Sequence, residues 1–182
     1  MKNALAQALL GAAIACFAIQ AGAATPEAKA AYVLAKDAAA AQYKAARARC
    51  DTITGIPNAV CIAQAKAARV RAVEEAHAYY KNTLKAYTAS RLRIAAADYE
   101  LDKVKCAALT GNDKDVCIKQ AKATLVAARA DATADKKAIE ARSEARDDKR
   151  TAEYKVAREK CDAFAGAAKD SCVAAAKSQY GR

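Results

Sequence analysis

The amino-acid sequence predicts an all-α fold of three disulfide-stapled antiparallel helical hairpins, with long coiled-coil-like helices in an elongated bundle. Three observations predict it. A cysteine is three times followed eleven residues later by a second, with a glycine at the same place between them: Cys50, Gly55, Cys61; Cys106, Gly111, Cys117; Cys161, Gly166, Cys172. Alanine, lysine, arginine, glutamate, leucine and glutamine, the strong end of the helix scale, dominate the composition. Beyond residue 24 the only glycines are those three and Gly181, and the only prolines are Pro26 and Pro57, so no breaker falls inside a helical stretch.

The repeat is wider than its cysteines, and a repeat of this length fixes the architecture before any single residue is read. Tyr43, Tyr99 and Tyr154 stand seven residues ahead of each first cysteine, and Ile53, Leu109 and Phe164 three residues after it. Ile62, Ile118 and Val173 directly follow the second cysteines, and Ala65-Lys66, Ala121-Lys122 and Ala176-Lys177 come next.

In chain order, Thr25-Pro26-Glu27 supplies an N-cap, a proline suited to the first turn and an acid at the positive end of the helix dipole. Each repeated glycine suits the left-handed position just past a helix end. Four helices are therefore expected, over about 26–54, 58–110, 113–165 and 168–180. Ile56-Pro57-Asn58 departs from the repeat and gives the first hairpin a different loop. The two middle helices would each be about 80 Å long if unbroken. That length places Gly55 and Gly166 at one end and Gly111 at the other, a four-helix bundle tapering into a two-helix rod. Thr83, Thr88, Ser90 and Thr133 are the expected places for a bend, which would fold the rod into a more compact stack of hairpins. Val73, Tyr80, Leu84 and Tyr87 follow helical spacing, but alanine fills most of the seam and buries little area per residue.

Helices that end near each glycine and restart after it bring the flanking cysteines face to face, which pairs Cys50 with Cys61, Cys106 with Cys117 and Cys161 with Cys172. Such a ring is worth roughly 3 kcal/mol by loop-closure entropy. The N-terminus carries Lys2, an apolar run from Ala4 to Ile19 broken by Gln7, and Ala21-Gly22-Ala23-Ala24. Residues 1–23 thus have the form of a cleaved signal peptide and 24–182 form the helical repeat domain. Cleavage removes Cys16 and leaves an even set of six cysteines, as a periplasmic or secreted location favours. The apolar run is shorter than a membrane span, so no transmembrane span is expected in the mature chain.

The formal charge of +11 falls to about +10 once Lys2 is lost. The recurring cations Arg47, Arg49, Lys66, Lys103, Lys105, Lys122, Arg158, Lys160 and Lys177 form three clusters near the disulfides and are the candidate anion-binding residues. They would attract lipopolysaccharide phosphates, acidic envelope polymers or extracellular DNA. The same placement also satisfies helix dipoles and solvated faces. The repeated tyrosines, and Tyr79, Tyr80 and Tyr87 with them, read as cover for the partner helix's alanines in preference to a stacking platform. His77, the single histidine, has no nucleophile placed to work with it, so no catalytic residue is assigned. Cysteines eleven apart lack the short spacing of zinc sites, and neither a metal site nor a cofactor is expected. Glu144, Asp147 and Asp148, mixed with Arg142, Arg146, Lys149 and Arg150, describe a solvated helix surface.

The stretch from Cys161-Asp162-Ala163-Phe164-Ala165-Gly166 to Lys169-Asp170-Ser171-Cys172, with its counterparts at Cys106 and Cys50, resembles small exported alanine- and lysine-rich helical proteins of Gram-negative bacteria, often labelled TolA-like or cell-envelope biogenesis proteins. The resemblance implies a periplasmic, helical, non-enzymatic protein. The membrane anchor and terminal globular domain of TolA itself have no counterpart in these residues. The leading expectation is a structural or interaction protein of the cell envelope, whose partner is an envelope protein or an anionic polymer or surface, with oligomerisation compatible. The alternatives are a holdase-type chaperone and a redox or metal-handling protein that uses the cysteine pairs.

Overall fold

A computed structural model describes residues 25–181, so the expected signal peptide over 1–23 and Cys16 lie outside the described residues. The described chain is five helices with no strand: α1 (Pro26–Cys50), α2 (Gly55–Lys81), α3 (Leu84–Cys106), α4 (Gly111–Cys161) and α5 (Gly166–Tyr180). α1 starts as its sequence dictates, with the Thr25 hydroxyl accepting from the Ala28 amide at 3.2 Å and Pro26 in the first turn. Glu27 at this end has its carboxyl held below the usual range, first by a backbone hydrogen bond and then by Thr25.

The helices stop at the first cysteine of each unit, not at the glycine. The chain leaves α1 through tight bonds from the Asp51 amide to the Ala48 carbonyl and from the Ile53 amide to the Cys50 carbonyl, passes an extended Thr54, and re-enters a helix at Gly55. The glycine therefore opens the second helix of each hairpin. Gly55 and Gly111 have φ of +69° and +53°, a left-handed conformation at the reversal that a residue with a Cβ adopts only with strain. This geometry brings the cysteine Cα atoms to 5.6 Å for Cys50–Cys61, 5.7 Å for Cys106–Cys117 and 5.6 Å for Cys161–Cys172, each pair closed as a disulfide. In the first hairpin the Asn58 amide nitrogen also donates to the Cys50 carbonyl at 2.6 Å, so the Pro57 variant of the loop gains a tie of its own.

The expected helix over 58–110 is broken. Asn82 takes the left-handed conformation (φ +43°) and caps α2, and Thr83 caps α3 by accepting from the Ala86 amide at 3.2 Å. Asparagine tolerates this conformation better than most side-chain-bearing residues, and threonine is a good N-cap, so two adjacent residues end one helix and start the next. Thr88, Ser90 and Thr133 lie within continuous helix.

The break reverses the chain once more and changes which ends meet. Glu74 of α2 holds Arg93 of α3 at 2.7 Å, and thirteen residues back along α2 and thirteen on along α3 lie Cys61 and Cys106. The first two disulfides therefore share one level, with Gly55 and Gly111 at the same end; the expectation that Gly55 would lie with Gly166 is overturned. Each helix packs only on its neighbours in sequence: among the described residues α1 does not reach α3 or α4, and α2 does not pack on α4. The expected four-helix bundle is instead a row of helices.

The seams of this row are alanine. Ala39, Ala65, Ala78, Ala95, Ala121 and Ala132 are buried together with Cys50, Cys106 and Cys161, and Leu125 is the one larger side chain buried among the described residues. Ser90 is the buried polar residue; its hydroxyl donates to Glu74 Oε2 at 3.1 Å, and the other oxygen of Glu74 takes the Arg93 guanidinium. α4 has 51 residues and is about 77 Å long. Its first part packs on α3 and its last on α5, where Tyr154 meets Tyr180 at 6.2 Å, and between them residues 137–150 are exposed on every side. There the helix rests on propensity and local ion pairs such as Lys136–Glu140 at 3.4 Å and Arg150–Asp147 at 2.5 Å.

Seams this thin make the cross-links decisive. Replacing Cys50 and Cys61 together by serine is expected to cost about 3 kcal/mol in denaturant unfolding, and reduction of all three bonds should lower the melting temperature sharply. An unchanged midpoint would mean the alanine seams suffice. Hydrogen exchange should be fastest, among helical amides, within 137–150 and slowest near the first two disulfides.

Candidate anion-binding surface

Six of the nine candidate cations gather at the end that carries the first two disulfides. Arg47 and Arg49 occupy the last turn of α1, Lys103 and Lys105 the last turn of α3, and Lys66 and Lys122 follow Cys61 and Cys117 by five residues. Arg158, Lys160 and Lys177 lie with the third disulfide, at the far end of α4. The sequence suggests three equal clusters; the Asn82 break converts them into a double cluster and a distant single one.

Several of these cations are already engaged. Arg47 pairs with Asp51, Lys103 with Glu100 at 2.8 Å and Lys105 with Asp102 at 2.9 Å. Glu100 raises the Lys103 ammonium above the ordinary lysine range, mainly through that hydrogen bond. Lys103 and Lys122 also converge on one ring, their ammonium groups 4.8 and 5.6 Å from the centre of Tyr99. Arg158 stands 6.0 Å from Tyr154, and Tyr43 takes Arg69 of α2 at 5.4 Å. The repeated tyrosines are thus half-buried seam residues with a cation over the ring. Arg49, Lys66, Lys160 and Lys177 have no acidic or aromatic partner among the described residues, and they are the cations left to meet a ligand.

Among the described residues the clefts these cations line are open and shared with an acid: Lys66 lies in one with Glu100, and Lys160 in one with Glu153. A cleft of about 460 Å³ against the second disulfide is walled by Asp102 and Asp113 as well as Lys105, with Leu109 and Val116 beside them. The arrangement can attract an extended anion by field. At the third hairpin Asp162 reaches Lys169 across the turn at 2.7 Å, and that hydrogen bond, with the lysine's charge, holds the Asp162 carboxyl below its usual range.

Other residues singled out by sequence fall as follows. His77 is interfacial: its ring lies 5.8 Å from Tyr32 of α1, and its buried Nδ1 has no hydrogen-bond partner. Tyr80 stacks on Tyr32 at 5.3 Å, as a seam residue should. Tyr79 and Tyr87 do not: they are 72% and 42% exposed. Neighbours on a helix point about 100° apart, so Tyr79 and Tyr80 could not both face α1, a signal present in the sequence. Glu144, Asp147 and Asp148 lie on the bare stretch of α4, with Asp147 held by Arg150. No group of three or more His, Cys, Asp or Glu side chains is gathered as a metal site would require among the described residues, and no described helix is long and apolar enough to cross a membrane.

Comparison with protein-family models, curated proteins and solved structures finds no match for this chain.

The Asp162–Lys169 tie gives a pH dependence of definite sign. Because the folded carboxyl titrates below the unfolded one, the tie contributes fully above the ordinary aspartate range near ~3.9 and is lost as pH falls through Asp162's own lowered value. In Lys169→Ala, carboxyl NMR should show Asp162 titrating at higher pH than in the parent chain. An unshifted Asp162 would mean the contact is not formed in solution.

Proposed function

We propose that this chain is a non-enzymatic protein of the bacterial cell envelope, exported by residues 1–23, that presents a rigid helical surface to an anionic envelope polymer or surface through the doubled basic cluster. The observation that carries the reading is the shared level of the first two disulfide hairpins, which puts the unpaired cations Arg49 and Lys66 at the same end of the row of helices as Lys103, Lys105 and Lys122. Three disulfides suit an oxidising compartment such as the periplasm. The third cluster, held away by α4, supplies a second contact on the same polymer. Linking two weak contacts raises avidity when both can be reached at once.

Purified lipopolysaccharide and double-stranded DNA, titrated into the mature protein at about 50 and 200 mM salt, test this directly. Binding should fall by at least about tenfold over that range, and Arg49→Ala with Lys66→Ala should weaken it more than Arg142→Ala with Arg146→Ala on the bare stretch of α4. A salt-independent affinity, or equal effects of the two pairs, would remove the reading. One observation favours a chaperone as the second reading: Ile53, Leu109 and Phe164, at equivalent places in the three turns, are 39%, 40% and 53% exposed. Suppressed aggregation of a denatured client, lost on changing all three to serine, would favour it.

A further inference from the structure

The described chain has eight tyrosines, and six of them have a ring or cation partner. The two without one, Tyr79 at the end of α2 and Tyr87 at the start of α3, line the same groove. It runs along α3, which packs between α2 and α4: α3 forms the floor with Ile94 and Ala95, α2 lines one side, and Ala128 and Asp131 of α4 line the other. Its volume, about 580 Å³, lies within the ~300–1,000 Å³ of small-ligand sites. Two ion pairs hold the helices at fixed spacing, Arg71–Asp98 at 2.7 Å between α2 and α3, and Arg91–Asp135 at 2.6 Å between α3 and α4.

We propose that this groove binds a neutral oligosaccharide, whose sugar rings stack on Tyr79 and Tyr87 and whose hydroxyls bond to the charged side chains of the walls. The lining selects that class. An exposed tyrosine ring offers a flat apolar face to the C–H face of a sugar and leaves its hydroxyl free to donate and accept. Carboxylates and guanidinium groups together meet hydroxyls, which act as both donors and acceptors. A polyanion is disfavoured here, because Glu75, Asp98 and Asp131 share the lining and both arginines are already paired with aspartates. A partner helix would need a continuous apolar stripe, and along the α3 floor Ser90, Arg91 and Asp98 interrupt Tyr87, Ile94 and Ala95. The groove is separate from the basic clusters, so this inference stands or falls apart from the anion-binding reading.

The test is calorimetric titration of the mature, disulfide-intact protein with chitotetraose, cellotetraose and maltotetraose at low and physiological salt, backed by saturation-transfer NMR. At least one neutral tetrasaccharide should bind at millimolar or lower concentration with the same affinity at both salts. Tyr79→Ala and Tyr87→Ala should each weaken it by about tenfold, which is ~1.4 kcal/mol, whereas Tyr79→Phe should retain most of it. Tyr79 has no ring partner, so its melting curve should be unchanged and loss of fold cannot mimic loss of binding. Failure of all three sugars to bind at millimolar concentration, or binding that survives both alanine substitutions, overturns the proposal.

Discussion

The rest of the structure depends on how closely the two helices of each hairpin must approach. A disulfide eleven residues wide fixes the Cα atoms of facing helices at 5.6–5.7 Å, the usual span for such a bond, and with Cα atoms ~2.3 Å from each axis it holds the axes no more than about 10 Å apart at that level. Small side chains beside the link let the two backbones meet there, and Ala46, Ala65, Ala121, Ala157 and Ala176 stand one turn from the bonded cysteines, with Asp102 the exception. Alanine permits the approach but buries little apolar area. A chain built this way gains its order from covalent closure and helix propensity, and it has little apolar surface left over with which to gather a common core. The row of helices follows, as do its wide exposed faces and the bare stretch of α4. Whatever the protein contacts, it contacts on helix faces.

One turn then decides how those faces are distributed. Between the first and second hairpins the chain reverses at Asn82 and Thr83, so α1, α2, α3 and the first half of α4 run alongside one another and two disulfides fall at one level. Between the second and third hairpins the same span of sequence runs unbroken as α4, and the last disulfide is carried to the far end. An almost regular sequence repeat thereby produces an asymmetric molecule, with a compact part and an arm. The α2–α3–α4 groove exists only because of that reversal, since an unbroken helix would have no α3 to form its floor. The doubled basic cluster has the same origin.

The local features were legible in the sequence because they depend on short-range chemistry. The cysteine spacing, the Thr25 cap and the helical composition specify the three hairpins without reference to anything distant. The order of the ends was legible only through Thr83, one of four places where a bend was expected, because the reversal itself turns on Asn82, whose left-handed conformation asparagine tolerates without requiring it. Glycines placed just past a helix end by rule open the next helix, because the unwinding begins at the cysteine five residues earlier. The tyrosines divide by geometry: Tyr43, Tyr99 and Tyr154 sit on the seam that the repeat defines, whereas Tyr79 and Tyr87 flank the break and take their surroundings from it. The cations were found by recurrence, but which of them stay unpaired depends on acids three or four residues away, as at Arg47 with Asp51 and Lys105 with Asp102.

Local closure of each hairpin is the claim on which the architecture rests, and tryptic mapping of the unreduced protein measures it most directly. Cys50 and Cys61 fall in one tryptic peptide, 50–66, which should appear lighter by two hydrogens than its reduced form. Peptide 106–114 should be found joined to 115–119, and 161–169 joined to 170–177. Free thiols at these positions, or a bond between peptides of different hairpins, would contradict the account.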